Sequence, residues 1–142
     1  LNSVHPTAVI EDGAELGEGN EIGPFCYITK HAKIGNNNKL VSHVCIGTPA
    51  QHRGNVEQGG VEIGNGNTFH EFAQVQASTN PSLPTRVSDN CYFMKGAHVA
   101  HDCMIEDDVT LCNDATLGGH TYIMRNTTLG FLTVVHQKQV IG

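Results

Sequence analysis

Stepping through the chain six residues at a time from Val4 gives Val4, Ile10, Leu16, Ile22, Ile28, Ile34, Leu40 and Ile46. Each is a branched aliphatic residue. A second run starts at Ile63 and passes Phe69, Val75, Pro81, Val87, Phe93, Val99, Ile105, Leu111, Leu117, Ile123, Leu129, Val135 and Ile141. Only Pro81 departs from aliphatic or aromatic character. A six-residue period suits neither an α-helix nor an alternating strand. It suits a prism-shaped solenoid, in which each hexad is a short strand plus a turn and three hexads complete a coil. The chain then supplies about seven coils of an all-β fold. Residues 18 apart should stack on neighbouring coils at roughly the 4.8 Å strand spacing.

Other positions follow the same beat. Glycine comes directly after the aliphatic residue at Gly17, Gly23, Gly35, Gly47, Gly64, Gly118, Gly130 and Gly142, where it is expected to permit a positive φ in the turn. Small residues recur two positions before it, among them Ala8, Cys26, Ala73, Cys91, Cys103 and Ala115. Cys26, Cys91 and Cys103 are therefore expected to be packing residues. Five cysteines without a CxxC pair indicate neither a disulfide framework nor a zinc ribbon, and favour a reducing, cytoplasmic setting.

The register slips once. The step of 17 from Ile46 to Ile63 is not a multiple of six, so a loop near residues 47–60 should leave the solenoid. The stretch from Ser78 to Arg86, with Pro81 and Pro84, keeps register and reads as a bulged corner or short loop. Ejected loops on a rigid repeat are often functional. No domain boundary is visible, and residues 1–142 read as one domain. The final hexad closes at Ile141-Gly142 without a polar cap, the pattern expected of part of a longer protein or of an end covered by a partner.

A net charge of -6 with 15% charged residues argues against a nucleic-acid groove. No apolar run approaches the roughly 20 residues of a membrane span. Nucleotide-binding glycine loops and the common hydrolase motifs are absent. What stands out is nine histidines in 142 residues. His5, His31, His43 and His70 are scattered and read as structural. His98, His101, His120 and His136 belong to the hexads of Val99, Leu117 and Val135, which are 18 apart. They should line one side of successive coils within roughly 10–15 Å. Asp102 adjoins His101, and Gly118-Gly119 precede His120. Imidazole titrates near neutrality and suits general-base work, although clustered imidazoles also suit zinc. His98 and His101 lack the spacing expected of converging metal ligands, so no metal is expected.

The hexads, together with KGAHVAHDC, ATLGGH and VVHQ, resemble the left-handed β-helix acyltransferases, in particular the UDP-N-acetylglucosamine O-acyltransferases of lipid A synthesis. The resemblance covers nearly the whole chain. It implies a left-handed parallel β-helix and a homotrimer with sites in clefts between prisms. It also implies transfer of an acyl chain from acyl carrier protein to the 3-hydroxyl of a nucleotide sugar, without a cofactor. By motif, His101 would be the general base, Asp102 its orienting partner and Gly119 N–H the oxyanion donor. His98, His120 and His136 would contact substrate. Gln51-His52 stands where the family carries Gln-Asp, and Gln76 stands where it carries histidine. The family's C-terminal helical domain has no counterpart in residues 1–142. Two alternatives stay open: a CoA-dependent acetyltransferase acting on a nucleotide-linked amino sugar, and a non-catalytic trimeric module.

Overall fold

The computed structural model describes all residues 1–142 and consists of short strands joined by tight corners. Three seven-stranded parallel sheets form the walls of a prism. Sheet I holds Ser3–Val4, Glu21–Ile22, Lys39–Leu40, Thr68–Phe69, Tyr92–Phe93, Thr110–Leu111 and Thr128–Leu129. Sheet II holds Val9–Ile10, Tyr27–Ile28, Cys45–Thr48, Gln74–Gln76, His98–Val99, Thr116–Leu117 and Val134–Val135. Sheet III holds Glu15–Leu16, Ala32–Ile34, Val61–Ile63, Thr85–Val87, Met104–Ile105, Tyr122–Ile123 and Val140–Ile141. The chain visits the sheets in the order I, II, III, so each coil contributes one strand to each wall. This is the left-handed parallel β-helix.

From Ile22 to Val135 each hexad's large apolar residue except Pro81 is buried, and with the smaller inward residues they build a core of 29 buried residues running along the prism axis. Phe69 and Phe93 stack with centroids 4.7 Å apart on consecutive coils. Such a pair adds about 0.5–1.5 kcal/mol beyond its area burial. Cys26, Cys91 and Cys103 fill the small inward slot as expected. Burial pushes the Cys91 and Cys103 thiols up to about 11, which suits inert packing groups.

The expected stacking at 18 residues holds outside the loops, as in Val99↔Leu117↔Val135. Across the first loop, Leu40 pairs with Phe69, and across the second, Phe69 pairs with Phe93. The second irregular stretch is therefore a true loop. The sheet II strand ends at Gln76, the next sheet III strand begins at Thr85, and one whole hexad containing Pro81 is ejected. An insertion of exactly one repeat leaves the sequence period intact, which is why periodicity did not expose it.

The glycine expectation needs correction. Among the glycines after the inward residue, only Gly47 has a positive φ, 86°. The left-handed residue lies two positions later, as at Gly13, Asn37, Asn90, Asp102 and His120. Glycine is needed after the inward residue because neighbouring coils touch there. A Cβ on Gly23 would lie 1.8 Å from the Val41 carbonyl oxygen.

The corner between sheets III and I fills its inward slot with amides rather than with small residues. Asn20, Asn38 and Asn67 occupy the inward slot, fully buried. Asn20 Oδ1 accepts from the Asn38 N–H at 2.9 Å, Asn38 Oδ1 from the Asn67 N–H at 2.9 Å, and Asn67 Oδ1 from the Cys91 N–H at 2.8 Å. Their side-chain amides donate to the carbonyls of Gly35, Gly64 and Ser88. The ladder satisfies backbone groups that would otherwise be orphaned in the interior.

Candidate functional site

Both loops emerge at the corner between sheets II and III. The first, residues 49–60, joins Cys45–Thr48 to Val61–Ile63, and the second, residues 77–84, joins Gln74–Gln76 to Thr85–Val87. They are tied together: Gly59 N–H donates to Ser78 O at 2.8 Å, and Ser78 N–H donates to Gly60 O at 3.2 Å. On the next two coils the same corner carries His101-Asp102 and Gly119-His120. The repeat thus places two loops and two histidine-bearing turns along one edge.

At the centre, His101 Nδ1 lies 2.8 Å from Asp102 Oδ2, with side-chain exposures of 14% and 6%. Asp102 adopts a left-handed conformation, φ 64°, which an aspartate tolerates better than most residues. Its N–H donates to Thr85 Oγ1 at 2.8 Å. Its carboxylate accepts from Thr79 N–H, at 3.1 Å to Oδ1, and from Thr79 Oγ1–H, at 2.7 Å to Oδ2. Burial pushes the Asp102 carboxyl up, but the Thr79 and His101 hydrogen bonds and the nearby His120 outweigh it and hold it below the usual range. The carboxylate is therefore ionised at neutral pH and acts as a fixed acceptor.

His120 Nε2 lies 3.5 Å from Asp102 Oδ2, and its ring meets the His101 ring edge-on at 5.5 Å. Gly119 is buried beneath the His101 imidazole. A Cβ there would lie 2.5 Å from His101 Cε1 and 2.8 Å from Nε2, so glycine is what lets the ring settle against this turn. The Gly119 N–H donates to no protein acceptor.

The other candidates divide. His52, on the first loop, presents its ring edge-on to His101 at 5.8 Å. Gln51 is exposed, and its N–H lies 3.5 Å from Gln76 Oε1. Gln76 itself is 3% exposed, so it tethers the first loop from inside and has little surface to offer a ligand. His98 sits on the outer face of sheet II, where Nδ1 lies 2.8 Å from Gln74 Oε1. Burial and the neighbouring His101 lower its pKa. His136 is exposed, with Nδ1 3.4 Å from Gln137 O, and shares no hydrogen bond with the cluster. The expected single row of four histidines is thus a corner pair, His101 and His120, with His98 on the adjoining wall and His136 apart. The reason is position within the hexad. His98 precedes its inward residue, whereas His101 and His120 follow theirs by two and three places, into the turn.

The residues that hold Asp102, Thr79 and Thr85, were not anticipated. Thr79 lies within the irregular proline-containing stretch, and nothing in the repeat places it opposite Asp102. Of the histidines read as structural, His43 is sandwiched between Phe25 and Phe72, and His70 bonds Tyr92 Oη at 2.7 Å. One nitrogen each from His101 and His120 and an Asp102 oxygen lie within 4.8 Å of one another, close enough to ligate a single ion. Convergence across two coils, rather than the His98/His101 pairing considered from sequence, creates that set.

Residues 13–48 match the bacterial transferase hexapeptide family model, which describes six repeats. The whole chain aligns with the acyl-carrier-protein–UDP-N-acetylglucosamine O-acyltransferases of Campylobacter concisus, at 32% identity, and Aliarcobacter butzleri, at 36%. The chain carries the transferase hexapeptide repeat and is similar along its whole length to these acyltransferases. The solved UDP-N-acetylglucosamine acyltransferase of Campylobacter jejuni superposes with a TM-score of 0.80 and 32% identity, covering 98% of this chain and 62% of that one. The chain likewise spans 62% of the length of the Campylobacter concisus and Aliarcobacter butzleri proteins. No helix is long and apolar enough to cross a membrane.

Proposed function

We propose that this chain transfers an acyl group from an acyl carrier protein thioester to the 3-hydroxyl of UDP-N-acetylglucosamine. The observation that carries the reading is the His101–Asp102 pair at the looped corner. With Nδ1–H donating to the ionised carboxylate, His101 Nε2 keeps its lone pair. It takes the proton from the sugar hydroxyl as that oxygen attacks the thioester carbonyl. The tetrahedral oxyanion is met by the N–H of Gly119, the residue against which the imidazole packs and whose N–H donates to no protein acceptor. Collapse breaks the carbon–sulfur bond, and the imidazolium returns its proton to the departing thiolate. The new ester and free thiol balance the exchange, with no cofactor or metal required.

Asp102 fixes the tautomer and stabilises the transient imidazolium, as the acid of a serine-hydrolase triad does. His98, His120, Gln51 and His52 are the groups available to orient the acceptor. His136, exposed on the next coil, is the remaining imidazole available to substrate. Gln76 acts on the acceptor side only through Gln51. The names of the relatives support the donor and acceptor classes. A cytoplasmic homotrimer, with neighbouring prisms closing the cleft over this corner, is part of the same proposal.

The test is transfer by purified protein, offered UDP-N-acetylglucosamine with acyl carrier protein and CoA thioesters in parallel. His101→Ala should lower the rate by about 10²–10⁴-fold while the β-helix circular dichroism stays unchanged. Undiminished transfer in that variant would remove His101 as the base. Acetyl transfer from CoA alone would replace the donor assignment with the amino-sugar acetyltransferase reading.

A further inference from the structure

We propose that Thr79 is the positioning residue of this site, and that the ejected second loop serves to bring its two donors onto Asp102. The inference rests on the acyltransfer reading only for its kinetic consequence.

A plain corner between sheets II and III turns in one hexad, as from Val99 to Ile105, whereas Val75 to Val87 takes two. The extra hexad adds no strand and buries no large side chain, since Pro81 and Leu83 are exposed. It is nevertheless well braced. Ser78 is fully buried, and its Oγ donates to Asn80 O at 2.9 Å. Asn80 closes the tip by accepting from Ser82 N–H at 2.9 Å and Leu83 N–H at 3.1 Å. Thr79 sits between this braced stem and tip.

Both donors of Thr79 are spent on one carboxylate, at 3.1 Å and 2.7 Å. Thr85, where the chain rejoins sheet III, accepts the Asp102 N–H at 2.8 Å. The two ends of the loop therefore grip the aspartate, one at its backbone and one at its carboxylate. This matters because Asp102 Oδ2 has two neighbouring imidazoles, His101 at 2.8 Å and His120 at 3.5 Å. A carboxylate free to rotate could serve either ring. Fixed by Thr79, it presents Oδ2 to His101 Nδ1 and so selects the Nδ1–H tautomer, which leaves the Nε2 lone pair free. Thr79 touches no substrate in this scheme and acts only through Asp102.

The experiment compares Thr79→Val, which keeps shape and the N–H but loses the hydroxyl donor, with Thr79→Ser, which restores it. The first readout is ¹⁵N NMR of the histidine rings on the whole protein, with the His101 signals assigned by their loss in His101→Ala. The wild type should show His101 as the Nδ1–H tautomer, Thr79→Val a mixture of both, and Thr79→Ser the wild-type pattern. The second readout is acyl transfer: Thr79→Val should lower kcat by about 10–100-fold with KM within roughly twofold, and serine should restore it. A His101 tautomer unchanged in Thr79→Val would overturn the proposal, whether or not the protein turns over. Should the wild type transfer no acyl group, the proposed function fails, and the ring spectra still decide the role of Thr79.

Discussion

The corner between sheets III and I and the corner between sheets II and III have the same backbone plan and opposite uses of polarity. In both, a left-handed residue follows the inward side chain by three positions, as at Asn37 and Asn90 in one and Asp102 and His120 in the other. At the first corner, polar groups turn inward. Asn20, Asn38 and Asn67 spend their hydrogen bonds on the backbone of adjacent coils, leaving nothing for a ligand. At the second, the inward slots are filled by Ala32, Val61, Thr85 and Cys103, and the polar groups stand on the turn and in the loops. One corner spends its polar groups on neighbouring coils, and the other gathers them on its turns and loops. A solenoid can separate the two because each coil repeats the same three corners, and a corner's sequence can change without disturbing the walls.

Three experiments break or sharpen that contrast. The largest effect is expected from Gly119→Ala. Its Cβ would land 2.5 Å from His101 Cε1, so the imidazole must shift, and misplacement of this size costs about 10²-fold in rate. Because Gly119 has no positive φ, thermal stability should hardly change. A large drop in melting temperature with normal turnover would reverse the roles assigned to the two corners.

Asn38→Ala should do the opposite. It strips partners from the Gly64 carbonyl and the Asn67 N–H inside the prism, and unsatisfied buried groups cost about 1–3 kcal/mol each. The urea midpoint should fall accordingly, while any protein that remains folded transfers acyl groups at the wild-type rate. An unchanged midpoint would show that the ladder stabilises nothing.

The smallest effect separates the corners by pH. Asp102 is held below the usual carboxylate range, so its contribution to stability is present above the ordinary aspartate value of about 3.9 and is lost as pH falls through its lowered value. The asparagine ladder has no titratable side chain. In an acid titration followed by NMR, the Thr79 amide should move with Asp102, below about pH 4, while the Asn38 and Asn67 amides stay in place. Parallel movement at both corners would mean that they unfold together.

The hexad period carries the architecture because one inward position in six suffices to define a wall, and the same spacing identifies Val99, Leu117 and Val135 as stacked partners. His101, Asp102 and Gly119 could be singled out for a different reason: their motifs are local, each contained within one turn. The asparagine ladder was equally periodic, but it stands in the slot otherwise filled by small residues, where a buried amide makes sense only once its backbone partners are seen. Thr79 carried no such signal. Its loop preserves the period while leaving the prism, and its partner lies 23 residues away.

Sequence by itself determined the coil, the number of coils and the turns on which the histidines sit, since these follow from side-chain size repeated along one dimension. Only the tertiary structure decided which histidines meet, that His98 faces outward while His101 and His120 share a carboxylate, and that two loops of different length lean on each other. Those outcomes depend on the direction of each side chain at a corner and on hydrogen bonds across the gap between coils. A chain read as a line does not contain that gap.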